Sequence, residues 1–332
     1  MTTPVHTDQD RFLEGVCYDE HKIASSTNPD VTLHLSERRS ATTGESVPLL
    51  LVHGATIASV LWDNPHPGWS WMNRLALDGF HVFAIDLRGY GRSSRPASFS
   101  CAPQDNLPYA RAHEVVQDVL DALAFVQNHT GQPSIDLLGG SWGSIICGKL
   151  VAERREAAIR RLVLYAPLYC EPESRPQWLP AAHETQTGAY RQVGIEDLKA
   201  RWDDEIPVSD PSLWRPPGVF EAIAQRCLRD DAQNPWATDG GFRAPAGTIA
   251  DLEQVYLGQP LYDGRRIDRP TLLLRGSADP VSTHSDASRL FEKISSQIKQ
   301  YTVIGNGAHF MIAERVFGQV HQVVRSFLTA SF

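Results

Sequence analysis

The stretch Ser134-Ile-Asp-Leu-Leu-Gly139-Gly140-Ser141-Trp142-Gly143-Ser144-Ile-Ile-Cys-Gly-Lys-Leu carries an apolar run into G-x-S-x-G and then into a helical pattern. Glycines two places either side of Ser141 let the backbone turn sharply, so the serine falls between a strand's carboxyl end and a helix's amino end. There its hydroxyl is exposed, and the helix dipole faces any oxyanion that forms. The competing reading is a strand-to-helix turn with an inert serine. A serine hydroxyl is a weak nucleophile and needs a base, itself oriented by a carboxylate. Thr271-Leu-Leu-Leu-Arg-Gly276-Ser-Ala-Asp279-Pro280 places an acid just past an apolar run, and Tyr301-Thr-Val-Ile-Gly305-Asn-Gly307-Ala-His309 places a histidine in a glycine-bearing loop. Either residue alone reads as an ordinary loop residue; their order after Ser141 is what suggests acyl chemistry through a covalent serine intermediate.

Something must bring three such distant residues together. Short runs rich in Val, Ile and Leu recur at 48–52, 81–87, 134–138, 161–165, 271–274 and 301–304, and are expected to be buried strands. Between them lie helical patterns. In 112–126, Val115, Val116, Val119, Leu120, Leu123 and Val126 repeat at three and four, and Gly131 supplies a stop signal. The chain closes on an amphipathic pattern at about 310–328. Strand and helix in alternation imply an α/β protein with a mostly parallel sheet covered on both faces.

Residues 171–260 break the rhythm. They hold ten of the 22 prolines and four of the eight tryptophans, Trp178, Trp202, Trp214 and Trp236, with no convincing strand. That composition suits a mainly helical insertion, a lid over a pocket, with 1–170 and 261–332 as the core. Tryptophans are costly to leave in water, so these four are expected to bind substrate; the plainer alternative is that they hold the insertion together.

The motifs resemble the α/β-hydrolase fold family over nearly the whole chain from about Val31. The matching pieces are Leu50-Leu-Val-His53-Gly54-Ala55, Asp86-Leu-Arg-Gly89-Tyr-Gly91-Arg-Ser93, the turn around Ser141, Gly276-Ser-Ala-Asp279 and Gly307-Ala-His309. The resemblance implies Ser141 as nucleophile, His309 as general base, Asp279 as its orienting acid, and an oxyanion hole from the N–H groups of Ala55 and Trp142. It implies no cofactor and a structural role for His53. Some members draw their acid from the region of Glu171 and Glu173. Members that are epoxide hydrolases or dehalogenases carry an aspartate where this chain has Ser141. The expected activity is therefore hydrolysis of a small or medium, largely apolar carboxylic ester. The alternatives are an acyltransferase, or an aminopeptidase similar to proline iminopeptidases, which share a Gly-Gly-Ser-Trp-Gly-Ser turn. In that case Asp203, Asp204 and Glu205, or Asp230 and Asp231, would grip an amino terminus. Against the peptidase, His53-Gly54-Ala55-Thr56-Ile57 and Asp86-Leu87-Arg88-Gly89 depart from its H-G-G-P-G and D-Q-R-G patterns. A non-catalytic binding protein on this scaffold would be expected to lack a triad member, and none is missing.

Charge and composition exclude other classes. Thirty-one Lys and Arg against 39 Asp and Glu, without a basic run, leave nothing to track a phosphate backbone, so no nucleic-acid partner is expected. No stretch approaches the roughly 18–20 apolar residues of a membrane span, and the start has neither a basic nor an apolar export segment. Five scattered cysteines and histidines without local ligand spacing suggest the reduced cytosol and no metal.

Overall fold

The computed structural model describes residues 13–42, 44, 47–155, 158–173, 179, 187–234 and 240–332. Eight strands form one sheet: β1 (Val16–Ala24), β2 (Thr32–Ser40), β3 (Pro48–Val52), β4 (His81–Asp86), β5 (Ile135–Gly140), β6 (Ile159–Tyr165), β9 (Thr271–Gly276) and β10 (Lys299–Ile304). Their order is β1-β2-β4-β3-β5-β6-β9-β10. β1 and β2 run antiparallel to their neighbours; the other six are parallel. This is an α/β-hydrolase fold. β3, β5 and β9 are buried along their whole length, as continuous apolar runs in a sheet covered on both faces should be.

α1 (Trp71–Leu77), α2 (Ala112–Thr130), α3 (Trp142–Glu153), α7 (His284–Lys293) and α8 (Phe317–Thr329) cover the sheet. α2 runs to Thr130 and stops at Gly131, whose φ of 69° is the left-handed cap a glycine accommodates. The closing helix starts later than its periodicity suggests. Residues 310–316 are nearly all buried, and Met311–Ala313 form a single 3₁₀ turn that delivers the chain from the sheet edge to α8.

Two strands are added and one expectation is corrected. β1 and β2 carry charges at Asp19, Glu20, Lys22, Glu37, Arg38 and Arg39, so no apolar run announces them; they are antiparallel strands at the edge of the sheet. The segment between β6 and β9 does contain strands: β7 (Tyr190–Gly194) and β8 (Gly241–Pro245) pair antiparallel in a separate two-stranded sheet. Five residues apiece, paired with each other, leave no period to detect. Around them lie α4 (Ile195–Glu205), α5 (Val219–Asp230) and α6 (Gly247–Tyr256).

Candidate active site

Because β5, β6, β9 and β10 are parallel neighbours, the loops at their carboxyl ends share one edge, and Ser141, Asp279 and His309 lie in three of those loops. Ser141 sits between β5 and α3 with φ 54° and ψ −121°, a conformation that costs about 1–3 kcal/mol and persists only where packing imposes it. The packing is visible at two glycines. A Cβ on Gly139 would lie 2.2 Å from the Gly143 carbonyl oxygen, and one on Gly143 would lie 2.4 Å from that of His53.

The three side chains form one hydrogen-bonded chain. His309 Nε2 is 2.9 Å from Ser141 Oγ, and His309 Nδ1 lies 3.0 and 2.9 Å from the two oxygens of Asp279. Asp279 Oδ1 also accepts from the N–H groups of Val281 and Ser282, while Arg275 Nη2 donates to the Asp279 carbonyl. Burial opposes charge on His309, but the Asp279 carboxylate outweighs it and raises the imidazole pKa above its usual value; Glu205 adds to that and Arg201 opposes it. With Nδ1–H held by Asp279, Nε2 presents its lone pair to the serine hydroxyl. Such a chain can take the serine proton as the hydroxyl attacks a carbonyl and return it to the leaving group.

Ala55 lines the same cavity as Ser141, and Trp142 opens α3 beside it. Among the described residues neither N–H donates to another protein group, which leaves both for an oxyanion. His53 does what the resemblance implies: its Nδ1 bonds the Gly54 carbonyl at 2.7 Å and its Nε2 accepts from Leu87 N–H, so it shapes the loop from within the core. Glu171 gives its carboxylate to the hydroxyls of Thr283 and Ser285, and Glu173 N–H turns back to it; neither is bonded to His309.

The cavity is walled by Ile57, Leu61, Trp62, Leu252, Val281 and Phe310, with Arg201 also lining it. Its free volume is about 30 Å³, room for one or two waters. The aromatic surface comes largely from the core. Trp202 is fully buried, packs against Phe310 and Phe220, and donates from Nε1 to Glu314 at 3.0 Å; Trp214 is half-buried; neither lines the cavity. Trp178 and Trp236 lie outside the described residues.

Three supporting residues escape sequence reasoning. Tyr165, ending β6, accepts from Ser141 N–H through its carbonyl and donates from its hydroxyl to the His309 carbonyl, tying two loops together. Glu314 accepts from Ala308 N–H and from Trp202, fixing the histidine loop to α4. Burial lifts the Glu314 carboxyl to about 7. Arg201 brings the third, a charge at the cavity wall.

A sequence profile of the α/β hydrolase fold matches residues 47–316. The chain belongs to the α/β-hydrolase fold family. It is 26% identical over 323 residues to epoxide hydrolase A of Mycobacterium tuberculosis, covering 83% of this chain and 91% of that one. A haloalkane dehalogenase of Psychrobacter cryohalolentis is 25% identical over 92% of each chain. Among solved structures, Est816, described as an N-acyl homoserine lactone degrading enzyme, superposes with a TM-score of 0.61 over 90% of this chain and 98% of its own at 19% identity, a likeness of fold alone.

Proposed function

We propose that this hydrolase cleaves a small or medium carboxylic ester through an acyl-enzyme on Ser141, with His309 as base and acid, Asp279 as its orienting partner, and the amides of Ala55 and Trp142 as oxyanion hole. The observation that carries the reading is the hydrogen-bonded chain from Ser141 through His309 to Asp279 at the mouth of an apolar cavity. The relatives named as an epoxide hydrolase and a dehalogenase have activities that, in members of this family, use an aspartate at the elbow to form an alkyl ester. A serine there suits acyl transfer instead. Ser141 attacks the carbonyl, the two amides stabilise the oxyanion, and His309 protonates the leaving alcohol. Water deprotonated by His309 then releases the acid.

We read 171–260 as a cap over this site, contributing Arg201 and Leu252 to the cavity. The aminopeptidase reading has less support. Asp203 is 2.5 Å from Arg215, Asp204 faces solvent, and Glu205 is already paired with Arg201 at 3.3 Å. The test is a panel of p-nitrophenyl esters, lactones and a prolyl arylamide, run on wild type and Ser141→Ala, with and without an added alcohol. Ester turnover that vanishes in the variant supports the reading. Preference for the arylamide, or for transfer to the alcohol over water, would replace it.

A further inference from the structure

At the opposite end of the sheet, three histidines converge on one buried carboxylate. His81 is the first residue of β4, which runs parallel to β5, so it stands at the amino-terminal edge while Ser141 stands at the carboxyl-terminal one. Glu37 of β2 is 1% exposed; His21 of β1 and His129, in the last turn of α2, both direct Nε2 at its Oε2, at 2.6 and 3.1 Å. His81 Nε2 is 2.6 Å from the other oxygen, Oε1. These residues are far apart in sequence, so no local spacing reveals them.

We propose that His21, His129 and Glu37 form a binding site for a late first-row divalent cation, Zn²⁺ above all, with His81 holding the carboxylate in place. The two imidazole nitrogens and the carboxylate oxygen all lie within 4.8 Å of one another. In a tetrahedral zinc site with bonds of about 2.0–2.2 Å, neighbouring ligand atoms stand about 3.3 Å apart, so the three need move only modestly to hold the ion. Two nitrogens and one carboxylate oxygen, with a fourth position open to water, are a donor set that suits zinc. The rings are already constrained: His129 stacks on Phe125 at 5.3 Å and 13°, and His21 packs on the same ring at 4.9 Å. His81 supplies the outer hydrogen bond that orients a ligating carboxylate, and the carbonyl end of α2 favours positive charge nearby. Access exists, because Glu37, His81, His129 and Thr130 line an open cavity of about 310 Å³. Arg39, 3.7 Å from Glu37 Oε1, opposes the ion, but its Nη2 also lies 3.8 Å from Asp19 and its side chain is 47% exposed, where water screens its charge.

The test uses the full chain without an affinity tag, stripped with a chelator and dialysed against Zn²⁺, with metal counted by mass spectrometry and thermal stability followed in parallel. One zinc per chain, a melting temperature that climbs with zinc, and loss of both in His129→Ala are expected. His81→Gln should weaken binding about 10–100-fold without abolishing it. Co²⁺ should give the visible absorption of a tetrahedral site in wild type and not in His129→Ala, a variant at a half-exposed helix end that leaves the sheet intact. His309→Ala must bind as wild type does, since the triad lies at the other edge. No stoichiometric zinc, or zinc retained by both His129→Ala and His21→Ala, would overturn the proposal.

Discussion

The carboxyl-terminal edge of the main sheet and the segment at 171–260 both crowd around His309, yet they are built in different ways. At the sheet edge, apolar strands end in glycine-bearing loops, and the polar residue at each tip is aimed at its neighbour: Ser141 at His309, His309 at Asp279. In the inserted segment, polar and aromatic side chains mostly hold the segment down. Trp202 is bonded to Glu314, and Asp251 of α6 accepts from Trp142 Nε1, Arg111 Nε and Ala112 N–H. Residue type therefore reveals role at the sheet edge and conceals it in the insertion, where Trp202 is a clamp.

The largest effects should come from the sheet edge. Ser141→Ala and His309→Ala should each lower kcat by about 10⁴–10⁶-fold with the melting curve little changed, and the double variant should be no worse than either, because the residues act as a unit. Asp279→Asn should cost about 10⁴-fold in kcat with the far-UV spectrum intact. Asparagine can still accept from Val281 and Ser282 through its oxygen, but its amide turns toward His309 Nδ1 and forces the proton onto Nε2, facing the serine. Turnover close to wild type in Asp279→Asn would remove the distinction between the two regions.

The insertion should separate clamp from wall. Trp202→Ala should lower stability by about 3–5 kcal/mol in chemical denaturation while leaving the ratio of kcat/KM between a bulky and a small ester unchanged. Leu252→Ala, whose side chain lines the cavity, should raise that ratio by about tenfold or more. If Trp202→Ala changes the ratio and Leu252→Ala does not, the assignments are reversed.

A smaller effect joins the regions through pH. The base must be neutral to accept the serine proton, and Asp279 and Glu205 favour its charged form. Activity should therefore fall as pH drops through a value above the ordinary imidazole pKa of 6.5. Glu205→Gln removes one of those negative charges and should move the acid limb of the kcat/KM profile to lower pH; a shift upward would contradict this placement of Glu205.

The core was legible because its signals are local. Pro48–Val52, Ile135–Gly140 and Thr271–Gly276 are short apolar runs with turn chemistry at their ends, and a nucleophile, an acid and a base follow such runs in chain order. What stayed hidden depends on partners distant in sequence. Tyr165 meets the His309 carbonyl 144 positions away, and Trp202 meets Glu314 across 112. β1 and β2 escaped because their buried charges, Glu37 and Arg38 among them, mimic a solvated surface until the histidines and Asp63 that face them are seen. β7 and β8 escaped because five residues leave no period to read.

The central claim, that Ser141 carries the acyl group, is tested most directly by rapid acid quenching during turnover of a p-nitrophenyl ester, followed by intact-mass and peptide mass spectrometry. The account predicts a mass increase equal to the acyl group, located on the peptide containing Ser141 and absent from Ser141→Ala. Turnover with no covalent species, or an adduct on a carboxylate side chain, would contradict it.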